Sequence, residues 1–259
     1  MSAASRFYLA LIGGFLYLPI LVLVVFSFNA SALMSFPLSG FTLDWYVKLS
    51  GNEALIHGFV TSFLIAQPVG LASAALGLLA ALALTARDFR LKAAFVALLI
   101  VPFLVPKSVL AIAGVMITSR IGFERGAVML IAGQTLVFLP FTAVILTAVM
   151  VRLDGRLEEA ARDLGASPFQ TFRKVVLPQL KSALTAAYTV GVILSLSDLT
   201  LSMFLAGRTQ PLSLIVASAF RRELSPELNA MQVVVLAITA LAVVATELLR
   251  RGTTVARVK

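Results

Sequence analysis

The chain has 259 residues, 60% of them hydrophobic and 13% charged, with no cysteine and a mean hydropathy of +1.01. That leaves too few polar residues to cover a soluble globule of this length, and the lack of cysteine excludes disulfides, thiol nucleophiles and thiolate metal sites. A formal net charge of +9 does not point to nucleic acid, because the positive residues are dispersed among loops and not gathered on one aromatic-flanked face.

Crossing a hydrocarbon core takes about 20 helical residues. Charge-poor runs of that length predict six transmembrane helices, at roughly 8–28, 59–85, 93–118, 127–150, 181–206 and 230–249. A β-barrel would show short segments of strict alternation instead, so the expected fold class is all-α integral membrane. The first run follows Arg6 and precedes Ala30-Ser31-Ala32, a signal-peptide-like arrangement. Its length fits a span better than a short signal core, so a retained anchor is expected. Asn29-Ala30-Ser31 also matches the short glycosylation acceptor pattern, which occurs often by chance.

Residues 29–58 read as an outside loop, in which Gly40-Phe41-Thr42-Leu43-Asp44-Trp45-Tyr46 mixes aromatic and polar groups as an interfacial segment does. Pro102 and Pro106 are expected to break the third helix and free carbonyls near Lys107. In the fifth span Asp198 stands among Ser195, Ser197, Thr200 and Ser202. Before the last span, Ser225-Pro226-Glu227 has the form of a helix start, and Glu247 lies one turn from Arg250 and Arg251 as an interfacial ion pair would.

Orientation follows from the basic residues, which are retained on the cytoplasmic side. With the N-terminus cytoplasmic, the inside segments hold 14 of the 21 Lys and Arg: Arg6; Arg87, Arg90 and Lys92; Arg152, Arg156, Arg162, Arg173, Lys174 and Lys181; Arg250, Arg251, Arg257 and Lys259. The outside segments hold six (Lys48, Arg120, Arg125, Arg208, Arg221 and Arg222), and Lys107 lies within a span. Both termini are therefore expected in the cytoplasm. The expected divisions are the N-terminus and first span (1–28), an outside loop (29–58), a core of five spans (59–250) and a tail (251–259).

Between the fourth and fifth spans lies a polar island, 152–178, with charges of both signs. Asp154 can cap a short helix whose first turn carries Glu158 and Glu159, where the helix dipole favours acids. Gly165 suits the left-handed residue that ends it. Ser167-Pro168-Phe169-Gln170 reads as a second start, with Ser capping, Pro at the first position and Gln closing a capping box. Pro178 then opens the fifth span. Two short helices about a Gly turn make a compact cytoplasmic knob. Charges occupy most of its circumference, which favours protein docking over lying on the membrane surface.

The series Glu159-Ala160-Ala161, Gly165, Val175, Leu177-Pro178 resembles the EAA loop of the permease subunits of bacterial ABC importers, with Val175 where Ile is usual. Within that family the chain is similar to the polyamine, opine and phosphonate branch, and to its spermidine/putrescine permeases, through Tyr17-Leu18-Pro19-Ile20, Ser27-Phe28-Asn29, Gly40-Phe41-Thr42 with Trp45-Tyr46, Leu139-Pro140-Phe141, Asp163-Leu164-Gly165-Ala166-Ser167 and Ser225-Pro226-Glu227-Leu228-Asn229-Ala230. The resemblance implies a type I importer fold in the bacterial inner membrane. It implies that Glu158, Glu159, Ala160, Ala161, Asp163, Leu164, Gly165, Ala166 and Ser167 form a coupling helix seated in a cytoplasmic ATPase subunit. The implied partners are a second homologous permease, two ATPase subunits, a periplasmic binding protein and the bilayer. No phosphate-cradling Gly-x-x-x-x-Gly-Lys-Ser/Thr sequence occurs, so ATP and Mg are expected in the ATPase subunits and no cofactor, metal or catalytic residue in this chain. An intramembrane protease would need a Ser with a His base, or two facing Asp residues. The lone His57 lies in an outside loop, and Asp198 is the one clear mid-span Asp. A stand-alone secondary carrier could share the spans but has no use for an ATPase-docking loop.

Lys107 and Asp198, placed at similar depth by residue counting, are candidates for the translocation pathway with Ser195, Ser197 and Thr200, since a charge inside the membrane is expensive unless paired or hydrated. Two roles stand open: lining the pathway, or pairing structurally with each other or with the sister permease. The position of Lys107 is acidic in the polyamine permeases that the chain resembles. The cargo is thus expected to be a small amine-bearing solute, a polyamine or a zwitterion such as an aminophosphonate or an opine.

Overall fold

The computed structural model describes residues 3–31, 37–86, 90–222 and 226–255. Ala32, Arg87, Ser225, Arg257 and Lys259, and the side chains of Arg222, Glu247, Arg250 and Arg251, lie outside the described residues. The helices are α1 (Ala3–Ser27), α2 (Asp44–Gly51), α3 (Glu53–Thr85), α4 (Lys92–Leu104), α5 (Lys107–Ile121), α6 (Ala127–Met150), α7 (Gly155–Asp163), α8 (Pro168–Thr171), α9 (Leu177–Leu196), α10 (Thr200–Leu205), α11 (Leu212–Arg222) and α12 (Pro226–Val255). A π-helical turn, Phe172–Val176, joins α8 to α9. Extended pairing among the described residues is limited to one antiparallel bridge between Asn29 and Phe41, so the fold is all-α.

Among the described residues, three helices are long and apolar enough to cross a membrane, Ser5–Ser27, Glu53–Thr85 and Ala127–Met150, and the pair Lys92–Leu104 and Lys107–Ile121 would make a fourth span bent by 98°. The bend falls at Pro106 alone, because Pro102 lies inside α4, which runs on to Leu104. Val105, preceding Pro106, is extended with φ −81° and ψ 133°, as the ring of a following proline demands. The fifth predicted span, 181–206, is not one helix. It stops at Leu196 and restarts at Thr200, a correction that the hydropathy could not supply because the run stays apolar through the break.

The chain divides into two compact units, Met1–Phe59 with Ile215–Ala242, and Val60–Leu214 with Val243–Lys259. In the first, the segment expected to lie at the interface folds back on the end of α1. Thr42 N–H donates to Phe28 O at 2.8 Å and Ala30 N–H to Gly40 O at 3.0 Å, while Trp45 Nε1 donates to Asn29 O at 2.7 Å. Asn29 is fully buried and its Oδ1 accepts from Ser39 N–H, an arrangement with no room for a glycan. The expected outside loop 29–58 also holds the helix α2, and α3 starts at Glu53, within that range. Asn52, between α2 and α3, donates to Glu227 Oε1 in the first turn of α12 at 2.7 Å.

In the second unit the core is built from α3, α5, α6, α9 and α10. Ile65, Val69, Ala111, Leu130, Val137, Phe138, Leu201 and Leu205 form one buried cluster, and Ala74, Ala81, Leu146, Ala183 and Ala187 another. Small residues set the helix spacing, as is usual where lipid removes the hydrophobic drive for association. A Cβ on Gly191 would stand 2.9 Å from Gly70 Cα, and one on Gly70 only 2.6 Å from Val192 Cγ2 and 2.9 Å from Tyr188 O. Thus α3 and α9 cross backbone to backbone, beside a hydrogen bond between Tyr188 and Gln67.

Overpacking such a contact costs about 1–3 kcal/mol. Gly70→Ala and Gly191→Ala are therefore expected to lower the melting temperature of the purified protein, whereas Gly14→Ala, whose new methyl meets nothing within 4 Å, is expected not to. Equal melting of all three would place the crossing helices farther apart.

Candidate functional site

The polar island folds as a knob held by its own caps. Asp154 accepts the Arg156 N–H at 3.0 Å and starts α7. Gly165 ends it with φ +83°, a conformation open to Gly at no steric penalty. The Ala166 N–H then donates back to Ala161 O at 3.0 Å. Ser167 and Gln170 make the reciprocal capping box of α8, with Gln170 N–H to Ser167 Oγ at 3.3 Å and Ser167 N–H to Gln170 Oε1 at 3.0 Å. Glu158 and Arg162 form an exposed i,i+4 contact at 3.9 Å.

Pro178 does not begin a fresh span after a loop. It lies in the first turn of α9, and the missing proline N–H is absorbed by the π-turn, in which Leu177 N–H reaches back to Phe172 O. The helical path from Pro168 into α9 is consequently unbroken. Away from the charges the knob presents large apolar groups, with Leu164 90% and Phe169 69% exposed. Under α7 lies a cavity of about 880 Å³ whose lining includes Leu82, Lys92, Met150, Glu158, Glu159 and Arg162.

The second constellation lies at the two helix breaks. Lys107, the first residue of α5, places Nζ 3.1 Å from Asp198 Oδ1, with the carboxylate side chain 1% exposed and the lysine side chain 44% exposed. The other oxygen, Oδ2, accepts the Leu201 N–H at 2.9 Å and so caps α10. The Asp198 backbone carbonyl, freed by the break, accepts from Ser202 Oγ at 2.8 Å and Ser213 Oγ at 3.0 Å. Lys107 Nζ also stands 5.2 Å from the centroid of the buried Phe138 ring, within cation–π range.

Residues 73–252 match the family described as binding-protein-dependent transport system inner membrane component. This chain belongs to that permease family. It is 32% identical over 248 residues to the spermidine/putrescine transport system permease protein PotC of Escherichia coli (strain K12), covering 95% of this chain and 94% of that one. It is 31% identical over 230 residues to the putrescine transport system permease protein PotI of the same strain, covering 86% and 82%. In fold it is similar to a chain of a bacterial alginate ABC transporter solved with an alginate pentasaccharide-bound periplasmic protein, with a TM-score of 0.74, 15% identity and coverage of 97% and 94%.

As an inner-membrane permease subunit the protein is a transport component and not an enzyme. The expected coupling residues Glu158 to Ser167 fall on one continuous knob. Of the expected pathway group, Lys107 and Asp198 meet, but the hydroxyls do not ring the carboxylate. Ser195 donates to Gln134 Oε1 at 2.5 Å and Ser197 to Ile193 O at 2.9 Å. Thr200 opens α10, and Ser202 serves the Asp198 backbone. Sequence reasoning missed Gln134, Phe138 and Ser213, whose partners lie far along the chain, and the exposed Phe169. A large aromatic inside a polar island was the one available signal for Phe169.

Removing one partner of a buried charge leaves the other uncompensated. Lys107→Met is expected to destabilise the permease by roughly 2 kcal/mol or more, and adding Asp198→Asn is expected to return part of that loss. Thermal melts of the two variants check this, and additive losses would deny the coupling.

Proposed function

We propose that the chain forms half of the translocation pathway of an ATP-driven importer, paired with a homologous permease. Two ABC ATPase subunits would engage the coupling loop 152–178, and a periplasmic binding protein would deliver the cargo. The capped knob carries this proposal. It is a compact projection whose shape is fixed by Asp154, Gly165 and the Ser167–Gln170 box, and it presents Leu164 and Phe169 to whatever covers it. Exposed side chains of that size suit a groove on a protein partner. The continuous path through the π-turn into α9 supplies the mechanics, because a knob seated in a moving partner carries the attached helix with it. ATP and Mg belong in the partner subunits.

Six crossings with both termini cytoplasmic suit the distribution of Lys and Arg. They put the coupling loop on the same side as the ATPases, with 1–28, 29–58, 59–250 and 251–259 as its divisions. The cargo is a small amine-bearing solute, by kinship with the two polyamine permeases, and the buried carboxylate of Asp198 is the matching group in this chain.

Co-purification is the test. The wild-type permease is expected to retain an ABC ATPase through purification, and Glu159→Lys or deletion of residues 156–166 is expected to release it without loss of the permease from the membrane. Retention of the ATPase by both variants would overturn docking at the knob.

A further inference from the structure

We propose that the Lys107–Asp198 pair is a cargo site selective for a small zwitterion, which enters by exchanging partners with the pair: the cargo ammonium takes the Asp198 carboxylate while its anionic oxygens take the Lys107 ammonium. This rests on the chain being a permease for an amine-bearing solute.

The carboxylate is not offered to an incoming cation. Its side chain is 1% exposed, one oxygen is held by Lys107 and the other by the Leu201 N–H. What the site presents is the ammonium, on a lysine side chain that is 44% exposed. Lysine also has three donors, of which one is engaged by Asp198 and another side faces the Phe138 ring. Capacity remains for an anionic oxygen. The Asp198 backbone is held in place by two hydrogen bonds that its carbonyl accepts from Ser202 and Ser213, so exchange proceeds by the flexible lysine stem swinging away.

Charge decides which cargo can complete that exchange. A dication that displaces Lys107 pairs with Asp198 but leaves the displaced ammonium facing a second ammonium, in surroundings where unscreened like charges repel strongly. A seated zwitterion leaves no charge unpaired. Both constellations are neutral overall, so the swap needs neither proton transfer nor a counter-ion. The location also fits, since the pair joins two helix breaks, the feature around which broken-helix transporters build their sites.

The test uses the complete transporter, with its own binding protein and ATPase, in proteoliposomes, and compares ATP-driven uptake of 4-aminobutyrate, a net-neutral zwitterion at neutral pH, and putrescine. Wild type is expected to favour the zwitterion at least 10-fold. Lys107→Asp is expected to shift that ratio at least 10-fold toward putrescine. Should that variant fail to assemble, Lys107→Gln, which can still hydrogen-bond Asp198, is expected to shift it in the same direction. Wild-type preference for putrescine, or an unchanged ratio in an assembled variant, would overturn the zwitterion site and leave the amine permease standing. Uptake of neither probe by an assembled wild-type transporter would overturn the amine cargo itself, and the zwitterion site with it.

Discussion

A helix that breaks inside a membrane must find partners for the backbone groups it frees, since lipid supplies none. At residues 197–199 one residue sits at the centre of that demand. Asp198 caps the new helix through Oδ2, its own carbonyl is taken by two serines, and Oδ1 is neutralised by a lysine from another break. Without the lysine the carboxylate would be a buried charge, and without the carboxylate α10 would begin uncapped. Two bends that would each be costly alone are stable because each supplies what the other lacks. Leu201 and Leu205 of α10 can then enter the core beside Phe138 and Leu130.

The knob rests on the opposite strategy. Its shape comes from short-range hydrogen bonds among neighbours in sequence, with no buried residue in α7. Such a structure holds its form without a core of its own and leaves its faces free. On its C-terminal side it is attached axially, through the buried Thr171 and Val176 and the π-turn that lets helix continue across Pro178.

This contrast explains what could be read in advance. Asp154, Gly165, Ser167 and Gln170 act within three or four residues of their partners, so spacing alone revealed them. The bend of the third span was equally plain, because proline enforces it locally. The break at Ser197 was hidden because its support is remote: Lys107 is 91 residues away, and Ser213 lies beyond α10. Ser195 likewise looked like a companion of Asp198 until Gln134, 61 residues distant, claimed it. Residue counting could set Lys107 and Asp198 at one depth, but only folding the helices could choose between contact and separation.

The crossing of α3 and α9 at Gly70 and Gly191 gives this geometry a mechanical meaning. With no side chains between the two backbones, α9 has a fulcrum there. The knob at Ser167 lies about 36 Å along the helical path on one side, and Asp198 about 10 Å on the other. These arms stand in a ratio of more than three to one, so a push of about 3 Å at the knob would become a counter-movement of about 1 Å near the carboxylate. An ion pair at 3.1 Å responds to a displacement of that size. If the knob docks as proposed, the glycine crossing would gear a coarse stroke there down to the scale on which a single salt bridge opens or closes.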